Sequence, residues 1–260
     1  MSGHPEPARE PLVTVELLDG GVAQLVLDDP RHRNALSKDL SDDLARAVDA
    51  ALAADSGAIV LSARPPVFCA GGSLDSLVDR TVPLSEMYAG FEHLASAPVP
   101  TIAAVGGPAI GAGVNLPLAC DIVIASPAAR FDPRFLDVGI HPGGGHLWRL
   151  ISRVGTQGAA AMVLCGDLLT GQEAAEHGLA WRCVPEAELE ATALRLARRA
   201  ARRSGPLVRR TKETLLRSVT VGTAAEAAEL ELAAQQWSVE QPGFAEAVQR
   251  VQRELAARSR

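Results

Sequence analysis

The chain lacks a long apolar run, a CxxC cysteine pair and an excess of positive charge. A membrane-spanning helix needs about 20 consecutive apolar residues, so the first absence argues against a membrane protein. The four cysteines stand singly among small apolar neighbours, so we expect reduced thiols and no zinc site. The formal net charge of −6, from 25 basic and 31 acidic residues, argues against a general nucleic-acid binder.

The N-terminal residues have no basic start followed by an apolar stretch, so we expect no signal peptide and a cytoplasmic location. Residues 1–10 are expected to form a flexible tail. With 260 residues, 47% of them hydrophobic, the chain is long enough for one large core and a small addition. We therefore predict a core over residues 11–200 and a helical C-terminal region over residues 201–260.

Short apolar runs alternate with helix-like segments as far as residue 125, which favours an α/β fold with a largely parallel sheet. The pattern predicts a β-hairpin over 12–18 and 22–27, and strands at 58–61, 101–105 and 121–125. It predicts helices at 38–53, with Ser37 as N-cap, and at 84–96. After Gly155 the predicted elements are one strand at 179–184 and helices at 156–164, 171–177, 186–203, 206–218, 222–239 and 243–257.

Two glycine-rich turns, at residues 69–74 and 106–113, each follow a predicted strand and precede a helix-like segment. Such turns present free backbone N–H groups, and two converging N–H groups form an oxyanion hole that stabilises charge on a carbonyl oxygen. The pair therefore predicts chemistry on an acyl group. The second turn alone is also similar to a dinucleotide-binding turn, but Leu116 stands where a third glycine is required, which argues against that function.

Five segments in order resemble the crotonase family, the enoyl-CoA hydratase/isomerase superfamily, over nearly the whole chain. They are Arg33-Asn34-Ala35-Leu36, residues 68–74, residues 100–121, the loop 139–145 with Arg149 and Leu150, and a C-terminal pattern that includes Lys212. The resemblance implies a spiral core of ββα turns with a helical C-terminal region, and a homotrimer or hexamer. It also implies an acyl-CoA thioester as small-molecule substrate. We expect no metal, and no cofactor beyond the coenzyme A of the substrate.

The resemblance also implies a set of site residues. By position, the oxyanion donors are the N–H groups of Gly72 and Ala112. The residues implied to surround the bound acyl-CoA are Arg33, Ala35, Ala70, Leu74, Tyr88, Phe135 and His146.

Two departures from the family pattern bear on the reaction. Family hydratases carry two glutamates that position and activate water, and this chain has Asn115 and Phe135 at those two positions. An asparagine can position water but cannot accept a proton at neutral pH, and a phenylalanine does neither. Isomerase-like members often have an apolar residue at the second position and take their base from elsewhere. We therefore expect proton-transfer chemistry rather than efficient hydration.

Two histidines are candidates for the missing base. The imidazole of His141 lies in the loop 139–145, where an imidazole can move a proton at C2 or C4 of a thioester. The alternative is that His141 only orients the loop. His146, after three glycines at a predicted helix start, is the second candidate. Two other functions stay open: a non-catalytic acyl-CoA or acyl-carrier binding protein, and an acyl-CoA hydrolase or decarboxylase.

Overall fold

The computed structural model describes residues 9–258, so the predicted tail lies outside the described residues except for Arg9 and Glu10. The chain divides after Arg202 into two compact units. The first unit holds all the described strands and the first seven α-helices, and the second holds three further α-helices. Over residues 9–258, none of the helices combines the length and the apolar character that a membrane crossing requires.

The element bounds follow the chain. The strands are β1 (Val13–Leu18), β2 (Val22–Leu27), β3 (Ala58–Ala63), β4 (Thr101–Val105), β5 (Pro108–Ile110), β6 (Ile122–Ala125), β7 (Arg130–Asp132), β8 (Leu169–Thr170) and β9 (Arg182–Cys183). The helices are α1 (Lys38–Ala53), α2 (Leu74–Asp79), α3 (Leu84–Ala95), α4 (Asn115–Ala119), α5 (His146–Leu164), α6 (Gly171–Glu176), α7 (Glu186–Ala201), α8 (Gly205–Ser218), α9 (Ala224–Val239) and α10 (Phe244–Arg258). Short 3₁₀ helices lie at Pro30–His32, Gly111–Val114 and Leu136–Val138.

The larger sheet has six strands in the order β1-β2-β3-β4-β6-β9. The hairpin pair β1–β2 is antiparallel, and every other pair in this sheet is parallel. The predicted α/β class, the hairpin and the parallel arrangement are confirmed. Because parallel strands end at the same edge of a sheet, the segments that follow β3 and β4 are brought side by side.

The central strands are buried on both faces, as expected for parallel strands covered by helices. In β3, Ile59 and Leu61 face the main core, and Ala58 and Val60 face a second cluster that includes Leu189 of α7. This period of two follows from the alternation of side chains along a strand. The main core also contains apolar side chains of α1, α3 and α4, which are the helices that border the site described below.

A second sheet, in the order β5-β7-β8, was not predicted. Its strands have only two or three residues, too few for a recognisable alternation of apolar and polar side chains. The predicted strand over 179–184 is reduced to Arg182–Cys183. The helix predicted from residue 156 begins at His146 instead, because the segment before Gly155 is also helical, with a break at Gly155 (φ 70°, ψ 173°).

Candidate active site

The first glycine turn is held by a short parallel bridge to the segment before α1. The N–H of Leu36 donates to the carbonyl of Gly71 (2.7 Å), and the N–H of Ser73 donates to the carbonyl of Leu36 (3.0 Å). These bonds use the groups on either side of Gly72. In this pattern the N–H of Gly72 itself points away from the bridge, so it is available to another acceptor.

The second glycine turn lies directly against the first. The N–H of Ile110 donates to the carbonyl of Cys69 (2.9 Å), and Ala112 lies in the 3₁₀ helix that follows. Gly71 has a φ of +96°, and a Cβ there would lie 2.7 Å from the carbonyl oxygen of Ile110 and 3.7 Å from the nitrogen of Ala112. Only glycine fits this contact, since it combines positive φ with close approach to backbone. The two turns that carry the predicted oxyanion donors are therefore neighbours in space.

Three residues beyond Ala112, the side chain of Asn115 links two groups that are distant in sequence. Its Nδ2 donates to the carbonyl of Gly143 (3.1 Å), and its Oδ1 lies 2.8 Å from Nδ1 of His146. The backbone N–H of His146 donates to the same Gly143 carbonyl (3.4 Å). Asn115 is fully buried and His146 is only 1% exposed. The start of α4 and the start of α5 are thus joined by a closed set of hydrogen bonds.

This arrangement fixes the protonation of the imidazole. The Gly143 carbonyl can only accept a hydrogen bond, so the amide nitrogen of Asn115 faces it and the amide oxygen faces His146. That oxygen also only accepts, so Nδ1 of His146 carries a proton. Burial lowers the pKa of His146 to about 4, and the positive charge of Arg149 adds to the effect. The ring is therefore neutral at pH 7, with its lone pair on Nε2.

Phe135 packs against this imidazole. The two rings are in an edge-to-face arrangement with centroids 4.9 Å apart, and Phe135 is 4% exposed. Nε2 of His146 is buried and has no hydrogen-bond partner within residues 9–258. The structure thus brings together three predicted site residues, Asn115, Phe135 and His146. The imidazole contacts both positions at which hydratase relatives are expected to carry glutamates.

Helix α3 contributes two aromatic side chains beside Gly143, the residue whose carbonyl accepts from Asn115. Tyr88 and Phe91 are buried, with ring centroids 5.4 Å apart, and a Cβ at Gly143 would lie 3.1 Å from the Tyr88 hydroxyl. Burial raises the pKa of Tyr88, so the hydroxyl keeps its proton at neutral pH. Tyr88 was among the predicted site residues and Phe91 was not. The spacing i, i+3 on a helix was the available signal, because it places both rings on one face.

Arg149, on the first turns of α5, extends this polar and aromatic cluster. Its Nη1 donates to the carbonyl of Gly144, and its guanidinium carbon lies 5.6 Å from the centre of the Phe91 ring. Burial lowers the pKa of Arg149, and the nearby Glu92 acts in the opposite direction. The sequence had marked Arg149 only as part of the family resemblance. The structure adds that its positive charge contributes to the lowered pKa of His146.

The remaining predicted residues lie at the entry of the first glycine turn. Ala35 and Ala70 are half-buried, and the N–H of Ala70 donates to the carbonyl of Arg33 (3.0 Å). Arg33 has an exposed side chain and a left-handed backbone (φ 54°). Leu74, the first residue of α2, is 64% exposed. The four residues belong to the segments on either side of the turn, and the side chains of Arg33 and Leu74 are exposed and available to a ligand.

His141 is placed differently from His146. Its side chain is exposed, and its Nδ1 lies 2.8 Å from the carbonyl oxygen of the next residue, Pro142. Within the described part of the chain, no other hydrogen bond of this ring is found. The structure brings His146, and not His141, into contact with Asn115 and Phe135. The role predicted for His141 stays a prediction.

Cys69, beside the oxyanion turns, is unsuited to act as a nucleophile. Its side chain is fully buried, and burial raises the pKa of the thiol to about 12. Because the thiolate is the nucleophilic form, this cysteine is unreactive at neutral pH. Close contact with the backbone at Gly113, where a Cβ would lie 2.9 Å from Sγ, gives Cys69 a packing role between the two turns.

The chain is similar to known proteins over most of its length. The family model described as enoyl-CoA hydratase/isomerase matches residues 18–253. A probable enoyl-CoA hydratase of Mycobacterium tuberculosis H37Rv, EchA14, is 38% identical over 239 residues, which are 88% of this chain and 93% of that protein. The 2,3-dehydroadipyl-CoA hydratase of Escherichia coli K12 is 34% identical over 78% of this chain and 82% of its own length.

Solved structures show the same fold over almost the whole chain. The enoyl-CoA hydratase of Bacillus anthracis aligns with a TM-score of 0.86 and 26% identity, over 94% of this chain and 96% of that one. A candidate enoyl-CoA hydratase from Thermobifida fusca, in complex with CoA, aligns with a TM-score of 0.78 and 30% identity. The alignment covers 90% of this chain and 96% of that one. The predicted crotonase fold is confirmed, and the chain belongs to the enoyl-CoA hydratase/isomerase family.

Proposed function

We propose that this protein is an acyl-CoA enzyme that forms a thioester enolate and moves a proton between C2 and C4, in the manner of an enoyl-CoA isomerase. The enolate oxygen is held by the N–H groups of Gly72 and Ala112. Support for this pair comes from the bridge pattern, in which the Gly72 N–H points away from Leu36, and from the closeness of the two turns, since a Cβ at Gly71 would lie 3.7 Å from the Ala112 nitrogen. Each such donor is worth about 3–4 kcal/mol to a developing oxyanion.

Binding of a CoA thioester is supported by the relatives. The Thermobifida fusca neighbour is in complex with CoA, and the Escherichia coli relative is named for its action on an acyl-CoA. Arg33, Ala35, Ala70 and Leu74 surround the entry of the first turn, where the resemblance places the CoA ligand. We propose these four residues as the CoA-binding segment.

The observation that carries the choice of reaction is the Asn115–His146–Phe135 cluster. Family hydratases position and activate the attacking water with two carboxylates, and this chain has neither of them at those positions. Asn115 is a neutral amide whose oxygen and nitrogen are both already hydrogen-bonded, and Phe135 has no polar atom. An enolate route by proton transfer needs only a single base and the oxyanion donors.

The test is deuterium exchange in D₂O, measured by mass spectrometry on a panel of short, long and branched acyl-CoAs and enoyl-CoAs. We expect deuterium at C2 and C4 and conversion of 3-enoyl-CoA to 2-enoyl-CoA, with slow or no hydration of 2-enoyl-CoA. Rapid hydration of 2-enoyl-CoA would contradict the proposal and would indicate the hydratase activity for which the relatives are named.

The loss of both carboxylates favours one second candidate, a binding protein for acyl-CoA or acyl-carrier thioesters. It is distinguished in the same experiment. Tight binding of a thioester, measured by calorimetry, with no exchange across the panel would favour this candidate and contradict the enzymatic one.

A further inference from the structure

Two buried side-chain nitrogens have no hydrogen-bond partner within residues 9–258, Nε2 of His146 beside the candidate site and Nε of Arg210 in the second unit. A buried polar atom without a partner costs about 1–3 kcal/mol, so native proteins rarely keep one without a reason. Nε2 of His146 is such an atom within residues 9–258. It carries a lone pair, because the Asn115 oxygen holds the ring's proton on Nδ1.

Two contacts of the imidazole ring fix its orientation and therefore the direction of the Nε2 lone pair. The Nδ1 contact to Asn115 (2.8 Å) and the edge contact to Phe135 (4.9 Å between centroids) restrain the ring from two sides. Asn115 itself is fixed by the Gly143 carbonyl (3.1 Å). An imidazole restrained in a single tautomer is the arrangement that a general base requires.

We propose that Nε2 of His146 is the base that moves the proton in this enzyme and that Asn115 is its positioning residue; this inference rests on the proposed function. The location of the His146 ring beside the second glycine turn supports this role. Asn115 begins the helix three residues beyond Ala112, and its side chain hydrogen-bonds the His146 ring, so the imidazole is tied to the turn that carries one oxyanion donor.

The proposed step is balanced in atoms and electrons. The Nε2 lone pair takes a proton from C2 of a 3-enoyl thioester, and the electrons of the C–H bond pass through the carbonyl carbon to the thioester oxygen. That oxygen is held by the N–H groups of Gly72 and Ala112. The imidazolium then delivers a proton to C4, the double bond moves into conjugation, and His146 is neutral again. In D₂O the imidazolium exchanges its proton with the solvent before delivery, so deuterium appears at C4, and at C2 when the step reverses. During the step Nδ1–H continues to donate to Asn115, which stabilises the transient cation.

The decisive experiment compares histidine variants in the deuterium-exchange assay. His146→Gln and His146→Phe are expected to reduce C2 exchange by roughly 10²–10⁴-fold, the usual contribution of a general base. His146→Phe keeps an aromatic ring against Phe135, so it guards against loss of packing. His177→Gln is the matched control, because this exposed histidine at the end of α6 lies outside the site.

Each outcome decides between the two claims. Exchange in the wild type that is lost in the folded His146 variants supports the assignment. Exchange that persists in them, or that is lost in His141→Gln instead, overturns the His146 assignment and leaves the proposed function intact. An absence of exchange in the wild type overturns both. Folding of each variant is checked by circular dichroism and by its affinity for coenzyme A.

A measurement on the wild type alone covers the case in which no His146 variant folds. The groups that act on the ring are the charge of Arg149 on α5 and the neutral side chains Asn115 and Phe135, which contact it. A base that stays neutral under these conditions gives an exchange rate that is constant from pH 8 down to about pH 5.5. A loss of rate centred near pH 6.5, where an ordinary imidazole titrates, overturns the assignment.

The positioning role of Asn115 has its own test. Asn115→Ala is expected to lower kcat by about tenfold or more with little change in KM, because the ring loses the acceptor that selects its tautomer. Asn115→Asp restores an acceptor at the same position and is expected to recover part of the rate. Equal kcat in Asn115→Ala and the wild type would overturn this role.

Discussion

The outer and inner halves of one loop, residues 139–142 and 143–146, share a glycine–histidine spacing but have opposite environments. Each half has a glycine with nearly the same φ, +69° at Gly139 and +68° at Gly144, and each has a histidine two residues later. His141 is exposed and contacts its neighbour's carbonyl, whereas His146 is buried against Asn115 and Phe135. Packing, rather than residue type, therefore buries one imidazole of the loop against Asn115 and Phe135 and lowers the pKa of that residue, His146.

The largest expected difference between the two halves concerns their glycines. A Cβ at Gly144 would lie 2.6 Å from Cζ of Phe91, and a Cβ at Gly139 would meet nothing within 4 Å. Both alanine variants incur the cost of a left-handed backbone, about 1–2 kcal/mol. Gly144→Ala also overpacks the core, which adds about 1–3 kcal/mol. In urea unfolding we expect Gly144→Ala to lose clearly more stability than Gly139→Ala, and equal losses would contradict the packing described here.

The next effect is the dependence of stability on pH. The folded His146 stays neutral down to about pH 4, while an unfolded imidazole takes up a proton near pH 6.5. The unfolded state thus binds more protons between these values, so the contribution of His146 is complete above about pH 6.5 and declines as the pH falls towards 4. It amounts to about 3 kcal/mol at most.

The measurement is the free energy of unfolding of the wild type and of His146→Gln at a series of pH values. Between about pH 4 and 6.5 the rise in the free energy of unfolding with pH that is due to His146 is expected to disappear in His146→Gln. It is expected to persist in His141→Gln. Identical slopes in the wild type and His146→Gln would show that the inner histidine is not held neutral.

A smaller effect is expected from a single charge in the inner half. Asn115→Asp places a carboxylate beside Nδ1 of His146, which favours the protonated ring and raises the pKa of His146 by about 1–2 units. Asp137→Asn, on the exposed 3₁₀ turn before the loop, is the control and should leave the pKa of His146 close to its wild-type value. NMR titration of the imidazole checks both, and a decrease in Asn115→Asp would contradict the assigned contact.

Local patterns in the sequence were sufficient for much of the fold. The N-cap at Ser37 is confirmed by the bond from the Leu40 N–H to its hydroxyl (3.2 Å), and helix α1 has the predicted bounds. Gly155 marked a true break, but the segment before it is helical as well, because a positive-φ glycine can interrupt a helix without ending it. The strands of the small sheet escaped prediction because two or three residues carry no periodic signal.

The candidate site was only partly predictable for a different reason. The glycine turns and the positions of Asn115 and Phe135 follow from local sequence and family resemblance. The contact between Asn115 and His146 joins residues 31 positions apart and depends on how α4 and α5 meet. A single sequence contains no signal for such a contact, and so the difference in environment between His141 and His146 could not be predicted.

The central claim is that His146 is a neutral imidazole with its lone pair on a shielded Nε2. The most direct measurement is ¹H–¹⁵N NMR of the histidine side chains in the ¹⁵N-labelled wild type, assigned by comparison with His146→Gln. We expect a protonated Nδ1 and an unprotonated Nε2 at pH 7, unchanged on acidification to about pH 5. A ring protonated on Nε2 at pH 7, or one that becomes cationic near pH 6.5, would contradict the claim.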